Sequence, residues 1–346
     1  MRTINHIIGG EEVVSTSGRT SPVYNPATGE VTSEVGLAST EEVDRAVAAA
    51  SAAFEEWSVT SIARRTAVMY RFRDLVDQRR DDIAALLTAE HGKVLSDSLG
   101  EIQRGIENIE YACGLAEHLK GSFSQEVSTD VDVYSIRQPL GVVAGITPFN
   151  FPSMVPMWMF PNAIAAGNTF VLKPSEKDPS VNQLAAELLT DAGLPDGVFN
   201  VLQGDKLAVD RLLEHPDVAA VSFVGSTPIA RYVYTTGTNA GKRVQALGGA
   251  KNHMIVLPDA DIGLAADAAV SAGYGSAGER CMAISVVVAV GAVADPLVEA
   301  IEDRIPTVTV GDGTDPASQM GPLITAEHRD RVASFIEGAP AEGATV

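Results

Sequence analysis

From Gln138 to Leu172 the chain carries no charged side chain. A stretch that long suits either a bilayer or the interior of a folded protein. Pro139, Pro148, Pro152, Pro156 and Pro161 interrupt it. A proline inside a helix removes a hydrogen bond and clashes with the preceding turn, so no single spanning helix forms here. The remaining solution is a buried strand, a turn and a helix, packed where both faces of a sheet are covered. The neighbouring apolar runs agree. Residues 141–146, 169–172, 197–202 and 219–224 read as strands, and 153–166, 180–192 and 205–214 as the helices between them. Strand and helix alternating at this spacing means βαβ units and a parallel sheet.

The rest of the chain is arranged around that sheet. Residues 1–38 look irregular or hairpin-like, with Asn25-Pro26-Ala27-Thr28-Gly29 as a turn. Ser39-Thr40-Glu41-Glu42 is a capping box, and Val43, Val47, Ala50 and Phe54 give the helix it opens an apolar face. Two longer helices are expected at about 61–91 and 96–118. At 122–137 the pattern alternates through Val127, Val131, Val133, Tyr134 and Ile136, as in exposed antiparallel strands. A second α/β cycle is expected from near Val244, through a helix at 261–276, to Cys281 and a β-branched run from Ile284.

Composition sets outer limits. The length of 346 residues allows about two or three domains. The 45 acidic and 25 basic side chains leave a formal charge of −20, which argues against nucleic acid and anionic membrane surfaces as partners. A nucleotide cofactor needs only a local site and stays possible. Two cysteines build no disulfide framework, and no Cys/His cluster has zinc spacing, so no metal is expected. Met1 to Gly10 lacks the basic flank and long apolar stretch of a signal peptide, and the cytosol is the expected compartment.

Four short motifs carry chemistry, each with a plain alternative. Asn150, in Pro148-Phe149-Asn150-Phe151-Pro152, follows the first parallel strand. Its amide suits an oxyanion, but taken alone it is equally a turn residue between prolines. Lys173 and Glu176 follow the second strand; they suit the hydroxyls of a ribose, or form a surface ion pair. Gly225-Ser226-Thr227 suits a phosphate at a helix N-terminus, or is a strand-to-helix turn. Cys281, beside Arg280, is a nucleophile next to a cation or a small buried hydrophobe. Cys113, on an apolar helical face, reads as structural.

Taken together and in this order, the motifs resemble the aldehyde dehydrogenase superfamily over essentially the whole chain. The resemblance implies an α/β fold with a parallel, Rossmann-type NAD domain at 1–121 and 138–246. It also implies a small antiparallel oligomerisation arm at 122–137, and a second α/β catalytic domain at 247–346 that is incomplete. Cys281 inherits the role of nucleophile and Asn150 that of oxyanion donor. Thr147, Phe149, Lys173, Glu176, Lys177, Gly225, Ser226 and Gly248 inherit cofactor positions. The family's later Glu-x-Phe-Gly-Pro segment has no counterpart here, so its C-terminal part is expected to be missing.

One departure narrows the resemblance. Most members carry Glu-Leu-Gly-Gly-Lys, whose glutamate activates water. Here the stretch reads Ala246-Leu247-Gly248-Gly249-Ala250-Lys251-Asn252-His253. Neither Ala246 nor Leu247 can act as a base. With Gly278-Glu279-Arg280-Cys281-Met282-Ala283, this resembles the CoA-acylating branch that oxidises methylmalonate or malonate semialdehyde. The implied co-substrate is CoA, and the implied carboxylate ligands are Arg280 and Arg104. A homo-oligomer is expected, with no nucleic acid or membrane partner. A hydrolytic aldehyde dehydrogenase and an inactive nucleotide-binding protein are the alternatives.

Overall fold

The computed structural model describes residues 2–346. The N-terminal segment forms five strands, β1 (Arg2–Ile4), β2 (His6–Ile8), β3 (Glu11–Val13), β4 (Thr20–Asn25) and β5 (Glu30–Gly36). It is more regular than its sequence suggests, because strands of three residues are too short to show a period. Helices α1 (Thr40–Trp57), α2 (Ile62–Gln78), α3 (Arg80–His91), α4 (Leu95–Cys113) and α5 (Leu115–His118) follow, then the hairpin β6 (Phe123–Ser128) and β7 (Val131–Tyr134). The capping box at Ser39 is formed, and Val43, Val47 and Ala50 are buried. Phe54 is only partly covered.

Two corrections concern helix continuity. The helix expected at 61–91 breaks at Arg79, whose φ of −102° and ψ of 15° end α2 and start α3. Neither glycine nor proline marks the break, and the buried stripe Phe72, Val76, Ile83, Leu87 keeps helical phase across it. The helix expected at 96–118 breaks at Gly114.

The central layer is a seven-stranded sheet. Its parallel part is built from β8 (Val142–Ile146), α6 (Met154–Ala165), β9 (Thr169–Lys173), α7 (Ser180–Asp191), β10 (Phe199–Val201), α8 (Lys206–Glu214), β11 (Val218–Val224), α9 (Thr227–Asn239) and β12 (Arg243–Leu247). The strand order is β12-β11-β8-β9-β10-β2-β3, with β2 and β3 antiparallel at one edge. Successive residues serve opposite faces, as the strand period requires. Val143, Phe170 and Phe199 enter a core with α2, α3, α4, α6 and α7, while Val142, Ala144, Ile146 and Phe223 pack against α1, α8 and α9. The charge-free run therefore lies inside a three-layer protein. Among the described residues no helix is long and apolar enough to cross a membrane.

The chain runs outward from β8 to β9 and β10, then returns to place β11 on the other side of β8. That reversal between β8 and β11 is the topological switch point, where open α/β sheets bind ligands at the strands' carboxyl ends. A third correction concerns the second cycle. β12 pairs in parallel with β11, Ala220 opposite Arg243 and Val224 opposite Leu247, so it completes the first sheet rather than opening a second one. The next unit begins with β13 (Asn252–Val256) and holds α10 (Ile262–Tyr274), β14 (Ile284–Ala289), α11 (Ala294–Arg304) and α12 (Ala326–Gly338). Its sheet is two parallel strands, β13 and β14.

Candidate active site

The carboxyl edge of the sheet gathers the sequence-derived residues. Thr147, Phe149 and Asn150 follow β8, Lys173 ends β9, Gly225 and Ser226 follow β11, and Gly248 follows β12. The Thr147 main-chain N–H donates to the Lys173 carbonyl at 3.2 Å, tying two of these strand ends together. The Thr147 hydroxyl is buried and has no partner among the described residues. Lys173 is buried, and its ammonium lies 3.3 Å from Glu176. Lys177 sits over the Phe149 ring at 4.7 Å. Ser226 is the N-cap of α9 and makes no side-chain capping bond, so the helix presents unsatisfied first-turn N–H groups at the switch point. Gly248 packs on that same first turn: a Cβ there would lie 3.2 Å from the Thr227 Cα.

The cysteine reaches this edge from the second unit. After α10 the chain passes through Ser276 and Ala277 at φ of 51° and 52°, and Gly278 at 77°. Left-handed backbone at two non-glycine residues costs roughly 1–3 kcal/mol each, and is retained where the surroundings fix it. Three side-chain hydrogen bonds hold the segment just downstream of that turn. The Asn252 amide donates to the carbonyls of Cys281 and Ala283 at 3.0 and 2.9 Å. The Asn150 amide nitrogen donates to the Glu279 carbonyl at 2.7 Å, so Asn150 reaches across to the segment that carries the cysteine. An amide nitrogen has two hydrogens. One is used here, which leaves one for an oxyanion.

Cys281 is a free, exposed thiol. It lines a cavity of about 420 Å³ together with Arg280, Arg104, Phe151, Trp158 and Met282. The structure thus brings Arg104, on α4, to the same cavity as Arg280 and Cys281. Arg280 is held by Asp97 at 2.5 Å, and Arg104 by Glu107 at 2.8 Å. The acidic residues lining this cavity are Asp97 and Glu101, and both sit in ion pairs, Glu101 with Lys93 at 2.6 Å. Leu247 and Ala246 end β12 and provide no ionisable group. Cys113 is buried on α4, and burial pushes its thiol up to about 11.

Several further groups gather at this edge. Lys93 and Glu101 are fully buried, and Glu279 packs between His91 at 3.4 Å and His328 at 3.3 Å. Burial raises the Glu279 carboxyl to about 7, and burial holds His91 well below the usual imidazole range. Glu279 lies within the cysteine motif, but little in the sequence marks its burial, or marks Lys93, Glu101 or the histidines. Lys93 lies in the connection between α3 and α4 and Glu101 on α4, and a carboxylate and an ammonium eight residues apart ordinarily read as surface charges.

Comparison with known proteins then decides the family. The model of the aldehyde dehydrogenase family matches residues 13–346. The chain belongs to that family. A malonate-semialdehyde dehydrogenase of Pseudomonas aeruginosa is 54% identical over 345 residues, covering 99% of this chain and 69% of that protein. A protein of Sinorhizobium meliloti assigned as a methylmalonate-semialdehyde dehydrogenase, solved with NAD, superposes with a TM-score of 0.98 at 51% identity. That match covers all of this chain and 70% of the other. The methylmalonate-semialdehyde dehydrogenase of Oceanimonas doudoroffii gives 0.97 at 54% identity, over 100% of this chain and 71% of that one.

Proposed function

We propose that the protein is an NAD-dependent, CoA-acylating dehydrogenase of malonate or methylmalonate semialdehyde. The observation that carries this reading is the cavity shared by Cys281, Arg280 and Arg104, in which every acidic side chain is already paired. The names and similarity of the relatives support the substrate class.

Cys281 thiolate would attack the aldehyde carbon, forming a carbon–sulfur bond and placing the negative charge on the former carbonyl oxygen. The Asn150 amide, with the Cys281 main-chain N–H, stabilises that oxygen; one such donor is worth about 2.7–4 kcal/mol in rate. Arg280 and Arg104 hold the substrate's own carboxylate, a role suited to a planar guanidinium. NAD, when bound, supplies the hydride acceptor that turns the adduct into a thioester. The residues at the switch point fit such a group: an uncapped α9 N-terminus for its phosphates, and the Lys173–Glu176 pair for a ribose. The Glu176 carboxylate disfavours a 2′-phosphate, hence NAD over NADP.

The thioester then needs an acceptor. A paired carboxylate is a poor base for water, and Ala246 and Leu247 are none. The thiol of CoA attacks instead, its sulfur replacing Cys281 on the acyl carbon and releasing the cysteine. Loss of CO₂ from the acid gives acetyl-CoA from malonate semialdehyde and propionyl-CoA from the methylated substrate. The hairpin β6–β7, with Phe123 and Tyr134 exposed, serves as an oligomerisation surface in this reading. The test is NADH formation from malonate semialdehyde with and without CoA. Turnover that depends on CoA, and is abolished by Cys281→Ala, is expected. Full turnover without CoA would show a hydrolytic enzyme and overturn the proposal.

A further inference from the structure

The loop carrying Asn150 has few main-chain hydrogen bonds: the Phe151 carbonyl accepts from the Val155 N–H at 3.2 Å and the Pro152 carbonyl from the Asn182 amide at 3.1 Å. Pro148 and Pro152 have no N–H, and among the described residues no main-chain N–H of residues 148 to 152 makes a hydrogen bond. Further support comes from behind. The Lys93 ammonium donates to the Asn150 carbonyl at 2.7 Å and to the Glu101 carboxylate at 2.6 Å, and lies 4.6 Å from the centre of the Phe151 ring. The other Glu101 oxygen accepts from the main-chain N–H groups of Ser153 at 2.8 Å and Met154 at 3.0 Å. One ion pair therefore grips the loop on both sides of Pro152, at Asn150 and at the start of α6. Both side chains are fully buried. Desolvating such a pair costs several kcal/mol per ion, and an apolar replacement is often as stable or more so. As a device for stability alone the pair is expensive. Its remaining hydrogen bonds go to the loop that presents the oxyanion donor and to the first turn of the helix that follows it.

We propose that Lys93 and Glu101 are positioning residues, a buried clamp that fixes the Asn150 amide where the oxyanion on the Cys281 adduct forms. The proposal rests on the roles given to Cys281 and Asn150 above. It does not require the assigned aldehyde or CoA.

The test separates two reactions of the same thiol. 4-Nitrophenyl acetate acylates Cys281 through a tetrahedral oxyanion: a carbon–sulfur bond forms, the ester carbon–oxygen bond breaks, and nitrophenolate leaves. Iodoacetamide alkylates the same sulfur by direct displacement of iodide, with no oxyanion. Both rates are read on the pH plateau where the thiol is ionised. Lys93→Met is expected to slow acylation by about 10- to 100-fold, the scale of a misplaced catalytic group or lost oxyanion donor. Alkylation should change less than about twofold, because the displacement develops no charge for an oxyanion donor to stabilise. In an Asn150→Ala background the same substitution should cost nothing further in acylation.

Glu101→Gln, which keeps an oxygen for the α6 N–H groups, should act in the same direction and serves if Lys93→Met does not fold. Equal losses in both reactions would show a merely structural pair and overturn the clamp. So would acylation unchanged in either variant, losses that multiply with Asn150→Ala, or no nitrophenolate burst from the unaltered protein. The ester needs neither NAD nor CoA. Failure to form NADH therefore counts against the proposed function and not against the clamp.

Discussion

Glu279 shows how far a residue's chemistry depends on what surrounds it. In the sequence it is one acid in a Gly-Glu-Arg-Cys run. In the fold its side chain is 5% exposed, flanked by His91 and His328, and its carboxyl is raised to about 7 by burial. A carboxyl whose folded value exceeds its unfolded value of 4.5 binds more protons when folded, between those two values. Stability is therefore fullest below the lower value and falls as pH rises through the upper one, by roughly 2–4 kcal/mol for a shift of this size. Glu279→Gln mimics the neutral acid. Thermal melts from pH 4 to 8 should show the unaltered protein losing more stability than the variant, with the gap opening as pH rises from 4.5 and levelling off above about 7. Parallel curves would mean that the ionised carboxylate is accommodated at no cost. Cys281 and Asn150 were legible because their neighbours form motifs. Lys93, Glu101 and the burial of Glu279 were not, because the same letters on a surface would be unremarkable charges.

At the scale of elements, the parallel strands and their helices were readable, since continuous apolar runs and 3.6-residue stripes survive in sequence. The break at Arg79 was not, because the stripe stays in phase across it. Nor was the membership of β12, which depends on pairing with β11 rather than on its own residues. Packing between strand and helix also imposes demands that the pattern hides. A Cβ on Gly145 of β8 would lie 2.5 Å from the tip of the Phe170 ring and 3.2 Å from the Met159 sulfur. That ring is already packed with Phe160 and Phe199 at centroid distances of 6.3 and 6.2 Å, so it has little room to yield. Gly145→Ala should cost about 1–3 kcal/mol in chemical denaturation, the usual penalty for overpacking a core. A loss under about 0.5 kcal/mol, the range of a neutral surface change, would show that the ring moves freely.

Across the whole molecule, burial is uneven. Strands β8 and β9 are buried at every residue, between two large apolar cores. The pair β13 and β14 has exposed residues on both strands, and its core is Val256, Ala265, Ala266, Val293 and Leu297 with partly covered neighbours. Parallel sheets are ordinarily covered on both faces, and an element that buries little apolar surface opens at a low free-energy cost. Amide hydrogen exchange should therefore be markedly faster in β13 and β14 than in β8, β9 and β11. Similar protection in the two sheets would mean that they open as one unit. The Cys281 segment joins α10 to β14, so the hydrogen bonds from Asn150 and Asn252 hold the nucleophile in the less buried part of the protein.

The sequence alone determined the alternation of strand and helix, the burial of the charge-free run and the motifs that place the chain in its family. These are local properties: periodicity, proline and glycine placement, and short residue strings all act within a few turns of chain. Only the tertiary structure decided the switch point between β8 and β11, the cavity shared by Arg104, Arg280 and Cys281, and the buried pair behind Asn150. Each of these depends on residues far apart in the chain meeting out of water, where desolvation and pairing, rather than residue type, fix what a charge can do.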